Sequence, residues 1–123
     1  MEHRPVQVRR IYDTPTPADG TRVLVDRLWP RGMKKEAAHI DEWCKQIAPS
    51  TELRTWYHHD PTLFDEFTAR YTDELRQTER ATSLDHLREL AAQSKPLTLL
   101  TATKDPDISE AAVLAAILNQ EIS

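Results

Sequence analysis

One loop of this sequence concentrates side chains that can bind and act on a ligand. The run from Asp26 to Gly32 (DRLWPRG) contains a carboxylate, two guanidinium groups and an indole. Guanidinium groups hold carboxylate or phosphate through paired hydrogen bonds, and a carboxylate can orient a ligand or accept a proton. We therefore predict that Arg27 and Arg31 bind a small anion and that Asp26 is a catalytic base or orients it. Trp29 would form a wall on which a planar ligand stacks.

Three side chains elsewhere in the chain extend this predicted site. His59 is the candidate catalytic acid or base, because an imidazole changes its charge near neutral pH. Arg54 would add another guanidinium group to the anion site, and Lys104 would add an ammonium group. The chain has no dense set of histidine or carboxylate ligands and only two glycines, so no metal and no cofactor are predicted and the familiar phosphate-binding loops are excluded.

Each of these residues also has a structural explanation. Asp26 would pair with Arg31 or Arg54, because a partly buried charge needs a partner. The arginines would then belong to an internal network with nearby carboxylates (Asp26, Glu52 and Asp60). His59 precedes a predicted helix start and would bond to the backbone there. Trp29 would join the core, as expected for the other two indoles of the chain (Trp43 and Trp56).

Two functions from different classes fit this loop. The first is a small enzyme that carries out metal-free hydrolysis or group transfer on a small anionic ligand, with Asp26 and His59 as the catalytic pair. The second is a non-catalytic protein-binding or regulatory module that uses the charged Arg/Trp loop as a contact surface, since arginine and aromatic residues dominate protein interfaces. A concave site around Asp26, Arg31 and His59 would favour the first, and a flat patch the second.

The elements that must position these residues are short strands and helices. Val6 to Tyr12, Arg22 to Asp26 and Leu97 to Ala102 are typical of strands, and helical spacing lies between the second and third of them. Such a crossover favours parallel neighbours, so the sequence predicts an α/β domain with a small, largely parallel sheet covered by helices. The loops after Asp26 and Ala102 would then open at one edge of the sheet. Three strands make a small sheet, and a further strand is expected in one of the segments interpreted as loops.

The helices are predicted from apolar spacing and capping residues. Apolar side chains at i, i+3, i+4 and i+7 indicate one helix over Ile40, Trp43, Cys44 and Ile47. Ser50 and Asp60-Pro61 are typical helix starts. Two more helices are predicted to begin at Thr82 or Ser83 and at Ser109.

Composition restricts the class of protein. A chain of 123 residues fits one domain, and its net charge of −4 disfavours nucleic acids and anionic membranes as partners. Cys44 is the lone cysteine, which is expected to be an inert core thiol and suits a reducing compartment. The start of the chain (MEHRP) leads into no apolar run, so a cytoplasmic protein is predicted. No feature of the sequence indicates an oligomeric state.

The sequence resembles the YeaO-like proteins, part of a bacterial family of unknown function. The resemblance is carried by Arg22 to Gly32 (RVLVDRLWPRG) and continues over roughly Val8 to Leu118, through DEW at 41–43, APSTELR at 48–54, HDP at 59–61 and RY at 70–71. It implies a single α/β domain over residues 1–123 and brings no established activity. Relatives tend to have Tyr where this chain has Thr101 and Asn where it has Ser109, so roles that depend on those two residues are in question.

Overall fold

A four-stranded parallel sheet organises the structure, a computed structural model that describes residues 6–122. The strands stand in the order β1-β4-β2-β3 and are β1 (Gln7–Arg10), β2 (Thr21–Leu24), β3 (Glu42–Trp43) and β4 (Leu97–Thr101). Every neighbouring pair is parallel, and Val23 lies opposite Leu99 in the central pair. The predicted α/β class and largely parallel sheet are therefore confirmed. The MEHRP segment, on which the prediction of a cytoplasmic protein depends, lies outside the described residues.

A fourth strand, β3, is present, but it lies in a segment for which a helix was predicted and not in one of the segments interpreted as loops. The prediction of a helix over Ile40, Trp43, Cys44 and Ile47 is wrong. The segment contains β3 and, after it, a 3-10 turn over Lys45–Ile47. The backbone N–H of Cys44 instead donates to the carbonyl of Leu24 at 2.8 Å, which extends the sheet. Trp43 packs with the apolar cluster on one side of the sheet and Cys44 with the cluster on the other. Alternation between two apolar layers produced the spacing that resembled a helix face.

The helices are α1 (Lys35–Ala38), α2 (Thr51–Tyr57), α3 (Phe64–Glu74), α4 (Thr78–Ala91) and α5 (Glu110–Ile122). Short 3-10 turns cover Pro17–Asp19, Lys45–Ile47, Pro61–Leu63 and Pro106–Ile108. Across residues 6–122, no helix has the length and apolar character needed to cross a membrane.

The predicted capping residues act as expected. Ser50 Oγ accepts from the N–H of Leu53 at 3.1 Å, and Asp60 accepts from the N–H of Thr62 at 2.9 Å. Ser109 Oγ accepts from the N–H of Ala112 at 3.3 Å at the start of α5. These caps satisfy backbone donors that the first turn leaves unpaired.

The start of α4 was predicted wrongly. The helix begins at Thr78, before Thr82 and Ser83. Its first turn carries exposed polar residues, and the first buried apolar side chain is Leu84. Apolar spacing therefore gave no signal for the first turn.

The core occupies both faces of the sheet. The larger cluster packs Val23, Val25 and Leu99 against helices that carry the aromatic residues Tyr57, Phe67 and Tyr71. The smaller cluster contains Ile11, Leu24 and Leu100, with Trp29 and Trp43 at its margin. Cys44 is buried as predicted, and burial raises the pKa of its thiol, so the reactive thiolate is disfavoured.

A buried ionic network closes the amino end of β2. The Asp19 carboxylate, 1% exposed, accepts from Arg9 Nη1 at 2.7 Å and also from the Arg22 guanidinium. Arg22 donates further to the carbonyls of Ala38 and His39. Burial alone would raise the pKa of Asp19, but hydrogen bonds from Arg9, the Thr16 N–H and Arg22 lower it overall. This network lies at the sheet edge opposite to the predicted ligand site, and the sequence analysis did not identify it.

Candidate functional site

A cleft of about 640 Å³ opens beyond the carboxyl ends of β2 and β4. We call it the carboxyl-edge cleft. The structure brings to it all the predicted site residues except Lys104, and it adds three polar residues that were not predicted as ligands. The polar and aromatic lining residues are Asp26, Arg27, Trp29, Arg31, Arg54, His59, Thr101, Thr103 and Glu110. Lys104 follows β4, is exposed and does not line the cleft.

Asp26 is fixed by the end of the neighbouring strand and not by an arginine. Its carboxylate accepts from Thr101 Oγ1 at 2.8 Å and from the N–H of Ala102 at 2.8 Å. Its carbonyl accepts from Trp43 Nε1 at 2.7 Å. The alternative that Asp26 pairs with Arg31 or Arg54 is therefore wrong. Thr101, where relatives tend to have Tyr, contributes directly to the site by orienting this carboxylate.

Glu110 is the functional candidate that sequence reasoning missed. It is half-buried at the first position of α5, and its carboxyl is hydrogen-bonded to Asp26. Burial raises the pKa of Glu110 well above its ordinary value, and the hydrogen bond and negative charge of Asp26 act in the same direction, while a backbone hydrogen bond and the Arg54 guanidinium oppose them. Glu110 therefore keeps its proton well above the pH at which an exposed glutamate ionises. A glutamate in the first turn of a helix is common, so the sequence carried no signal for this pair.

Arg27 and Arg31 are exposed at the rim of the cleft without internal partners. Within residues 6–122, neither guanidinium makes a hydrogen bond or an ion pair. Arg54 makes one long contact, 3.4 Å from Nη2 to Thr51 Oγ1, besides its attraction to Glu110. The alternative of an internal arginine–carboxylate network is therefore wrong for this part of the chain. The three side chains are available to an anion.

Trp29 contributes both to the core and to the cleft. Its Nε1 donates to the carbonyl of Met33 at 2.7 Å, and its ring meets Trp43 edge-on with centroids 5.3 Å apart. The side chain is half-buried and lines the cleft. These contacts fix the orientation of the ring before any ligand arrives.

His59 reaches the cleft from a strained turn after α2. His58 and His59 adopt positive φ angles of 47° and 54°, a conformation that residues with a Cβ rarely take. The His59 imidazole makes no hydrogen bond to the rest of the described chain, residues 6–122, so the expected bond to the backbone is not seen. The strained turn positions an exposed imidazole on the cleft wall.

A second cavity of about 340 Å³ adjoins the carboxyl-edge cleft. We call it the aromatic cavity, because Tyr57 and Phe67 form its inner wall with ring centroids 4.2 Å apart and an interplanar angle of 13°. The Tyr57 hydroxyl donates to the carbonyl of Ile108 at 2.7 Å. The two cavities share four wall residues, Pro49, Arg54, His59 and Glu110.

The charge balance of the cleft differs from that of the whole protein. Three guanidinium groups line it, against the Asp26 carboxylate and the Glu110 carboxyl, whose pKa is raised well above its ordinary value. The cleft therefore carries surplus positive charge in a chain whose net charge is −4. No group of three or more His, Cys, Asp or Glu side chains between residues 6 and 122 is arranged to hold a metal ion.

The fold and the cleft define a small parallel α/β protein with an arginine-lined site at the carboxyl edge of its sheet. Residues 5–123 match the family model described as the inactive DUF488-N3 subclade. The chain is 49% identical over 114 residues to the uncharacterised protein Rv3073c of Mycobacterium tuberculosis, with 93% of each chain covered. It is 44% identical over 110 residues to the uncharacterised protein YeaO of Escherichia coli, covering 89% of this chain and 93% of that one. The chain belongs to this family, which confirms the resemblance to YeaO-like proteins. No solved structure was found to match it.

Proposed function

We propose that this protein binds a small anionic ligand in the carboxyl-edge cleft and does not turn it over. The observation that carries the proposal is a set of three arginines around one concave site: within residues 6–122 the guanidinium groups of Arg27 and Arg31 have no partner, and Arg54 makes only a long hydrogen bond to Thr51 besides its attraction to Glu110. Ligands of parallel α/β proteins gather at this edge of the sheet. Guanidinium groups around a concave site fit a phosphate or carboxylate better than a flat protein partner.

Two observations support binding without turnover. Both Asp26 oxygens already accept hydrogen bonds from the end of β4, which suits a residue that shapes the site. The family whose model matches the chain is described as inactive.

Acid–base catalysis is the second candidate function, and one observation favours it. Glu110 holds a proton beside Asp26, and both line the cleft together with His59. A protonated carboxyl next to a carboxylate and an imidazole can donate a proton to a leaving group. Release of product from phosphate or carboxylate esters by the wild-type protein, lost in Glu110→Gln, would support this candidate.

Binding is tested by calorimetric titration with inorganic phosphate, nucleotides and small carboxylates. We expect at least one of these anions to bind. Arg31→Ala should lower the affinity for that anion about 10-fold or more, as expected for the loss of a charge-assisted hydrogen bond. Arg76→Ala is the matched control, because Arg76 is exposed and lies outside the cleft. Absence of binding by every anion, or unchanged affinity in Arg31→Ala, would overturn the proposal.

A further inference from the structure

The carboxyl-edge cleft and the aromatic cavity are adjacent and chemically different, and four residues contribute to the walls of both. Of these two cavities, Arg27 and Arg31 line only the cleft, whereas Tyr57 and Phe67 line only the aromatic cavity. We infer that the ligand is an organic anion with an apolar, preferably aromatic, group, and that this group occupies the aromatic cavity while the anionic group is held by the arginines. This inference rests on the proposed anion site and names the class of its ligand.

The inner wall of the aromatic cavity is apolar and rigid. Tyr57 and Phe67 are 4% and 2% exposed, and Phe67 stacks further on Tyr71 with centroids 5.7 Å apart. The Tyr57 hydroxyl donates to the Ile108 carbonyl, which fixes the ring. Because these two rings expose so little surface, the gain in affinity comes mainly from the apolar group of the ligand, which leaves water when it enters the cavity. Inorganic phosphate alone would leave it unused.

The groups at the shared wall allow one molecule to cover both compartments. Pro49 supplies apolar surface at the junction, and Arg54 supplies positive charge on the side that faces both cavities. Glu110 lies at the same junction, and because its pKa is raised beside Asp26 it does not oppose an approaching anion with a second full negative charge. An anion bound near Arg31 and Arg54 therefore has a path for an attached ring toward Tyr57.

The test compares inorganic phosphate with phenyl phosphate by calorimetric titration of the wild-type chain. We expect phenyl phosphate to bind about 10-fold more tightly or better, because a phenyl ring buries apolar surface that phosphate lacks. Thr55→Phe is the informative variant, since exposed Thr55 lines the aromatic cavity and not the cleft. The larger side chain is expected to abolish the preference and leave the affinity for inorganic phosphate unchanged. Thr55→Ser is the matched control and should retain the preference.

The possible outcomes separate this inference from the proposed anion site. Equal affinity for phosphate and phenyl phosphate, with Arg31→Ala weakening both, would overturn the two-compartment ligand and keep the anion site. A preference that survives in Thr55→Phe, with folding verified by circular dichroism, would also overturn it. Binding of neither phosphate nor phenyl phosphate would overturn the two-compartment ligand, and the anion site would be overturned as well if nucleotides and small carboxylates also failed to bind.

Discussion

The carboxyl of Glu110 is hydrogen-bonded to the carboxylate of Asp26, so the first residue of α5 meets the loop after β2 at the cleft. Asp26 is held in place by Thr101 and Ala102 at the end of β4. The pair therefore joins three separate parts of the chain at the carboxyl edge of the sheet. Its protonation state controls both the stability of this edge and the charge that a ligand meets.

Replacement of Glu110 is expected to change how stability depends on pH. A folded-state pKa above the ordinary value of 4.5 means that the folded chain binds more protons than the unfolded chain above that pH. The unfolding free energy therefore falls as the pH rises from about 4.5 toward the raised pKa. Glu110→Gln keeps a donor toward Asp26 and removes this titration. We expect it to be more stable than wild type at pH 7 by about 1 kcal/mol or more, since one pKa unit between states corresponds to about 1.4 kcal/mol.

Urea denaturation at pH 4, 5.5 and 7 measures this effect. The gain in unfolding free energy of Glu110→Gln over wild type should shrink toward pH 4, where the Glu110 carboxyl of the wild type is protonated in both the folded and the unfolded state. Glu89→Gln on the exposed face of α4 is the matched control and should leave the pH dependence as in wild type. A Glu110→Gln profile that runs parallel to that control would show that Glu110 does not hold the proton.

Removal of the Asp26 carboxylate should destabilise the carboxyl edge. Asp26→Ala leaves the Thr101 hydroxyl and the Ala102 N–H without their partner. Unpaired buried polar groups cost about 1–3 kcal/mol each, so we expect a loss of this order in the free energy of unfolding at pH 7. Asp26→Asn retains one acceptor oxygen and should lose less. Equal stabilities of wild type and Asp26→Ala in urea would contradict this bracing role.

The central sheet was predictable, because each of its signals lies within one short segment. The run Val23-Leu24-Val25 marks a strand covered on both faces, and the crossover to Leu97–Thr101 implies a parallel neighbour. Those two facts were enough to place the loop after Asp26 at the edge where the cleft forms. The strand β3 was missed because two residues give too little pattern, and they lie within a spacing that also fits a helix.

The chemistry of the site was predictable only in part, because the decisive contacts join distant segments. The arginines were found from residue type alone, but whether they had internal partners depended on where Asp26, Glu52 and Asp60 point. The hydrogen bond between Asp26 and Glu110 links residues far apart in sequence, and nothing near either residue indicates it. The Asp19–Arg22 pair was missed for a different reason: Arg22 lies within an apolar strand pattern, and its burial follows from packing by the residues around it.

The strained turn after α2 offers a stabilising substitution. His58 ends the helix at φ 47°, and its N–H donates to the carbonyl of Arg54 at 2.9 Å. Glycine adopts this conformation without a steric cost, so His58→Gly should raise the free energy of unfolding by about 0.5–1 kcal/mol. His58→Ala keeps the Cβ and should not produce the gain. A melting temperature for His58→Gly at or below that of His58→Ala would contradict the inference that the His58 backbone is strained.

The buried network at the opposite edge should be the most sensitive to acid. The lowered pKa of Asp19 stabilises the fold above its ordinary value of 3.8, and this contribution is lost as the pH falls through the folded-state pKa. Asp19→Asn leaves buried Arg22 without its charge partner, so we expect a loss of about 3–5 kcal/mol at pH 7 that diminishes below pH 4. Asp73→Asn, which breaks an exposed pair with Arg76, should cost at most about 1 kcal/mol. If urea denaturation gave equal losses of unfolding free energy for Asp19→Asn and Asp73→Asn, Asp19 would contribute no more to stability than a surface charge does.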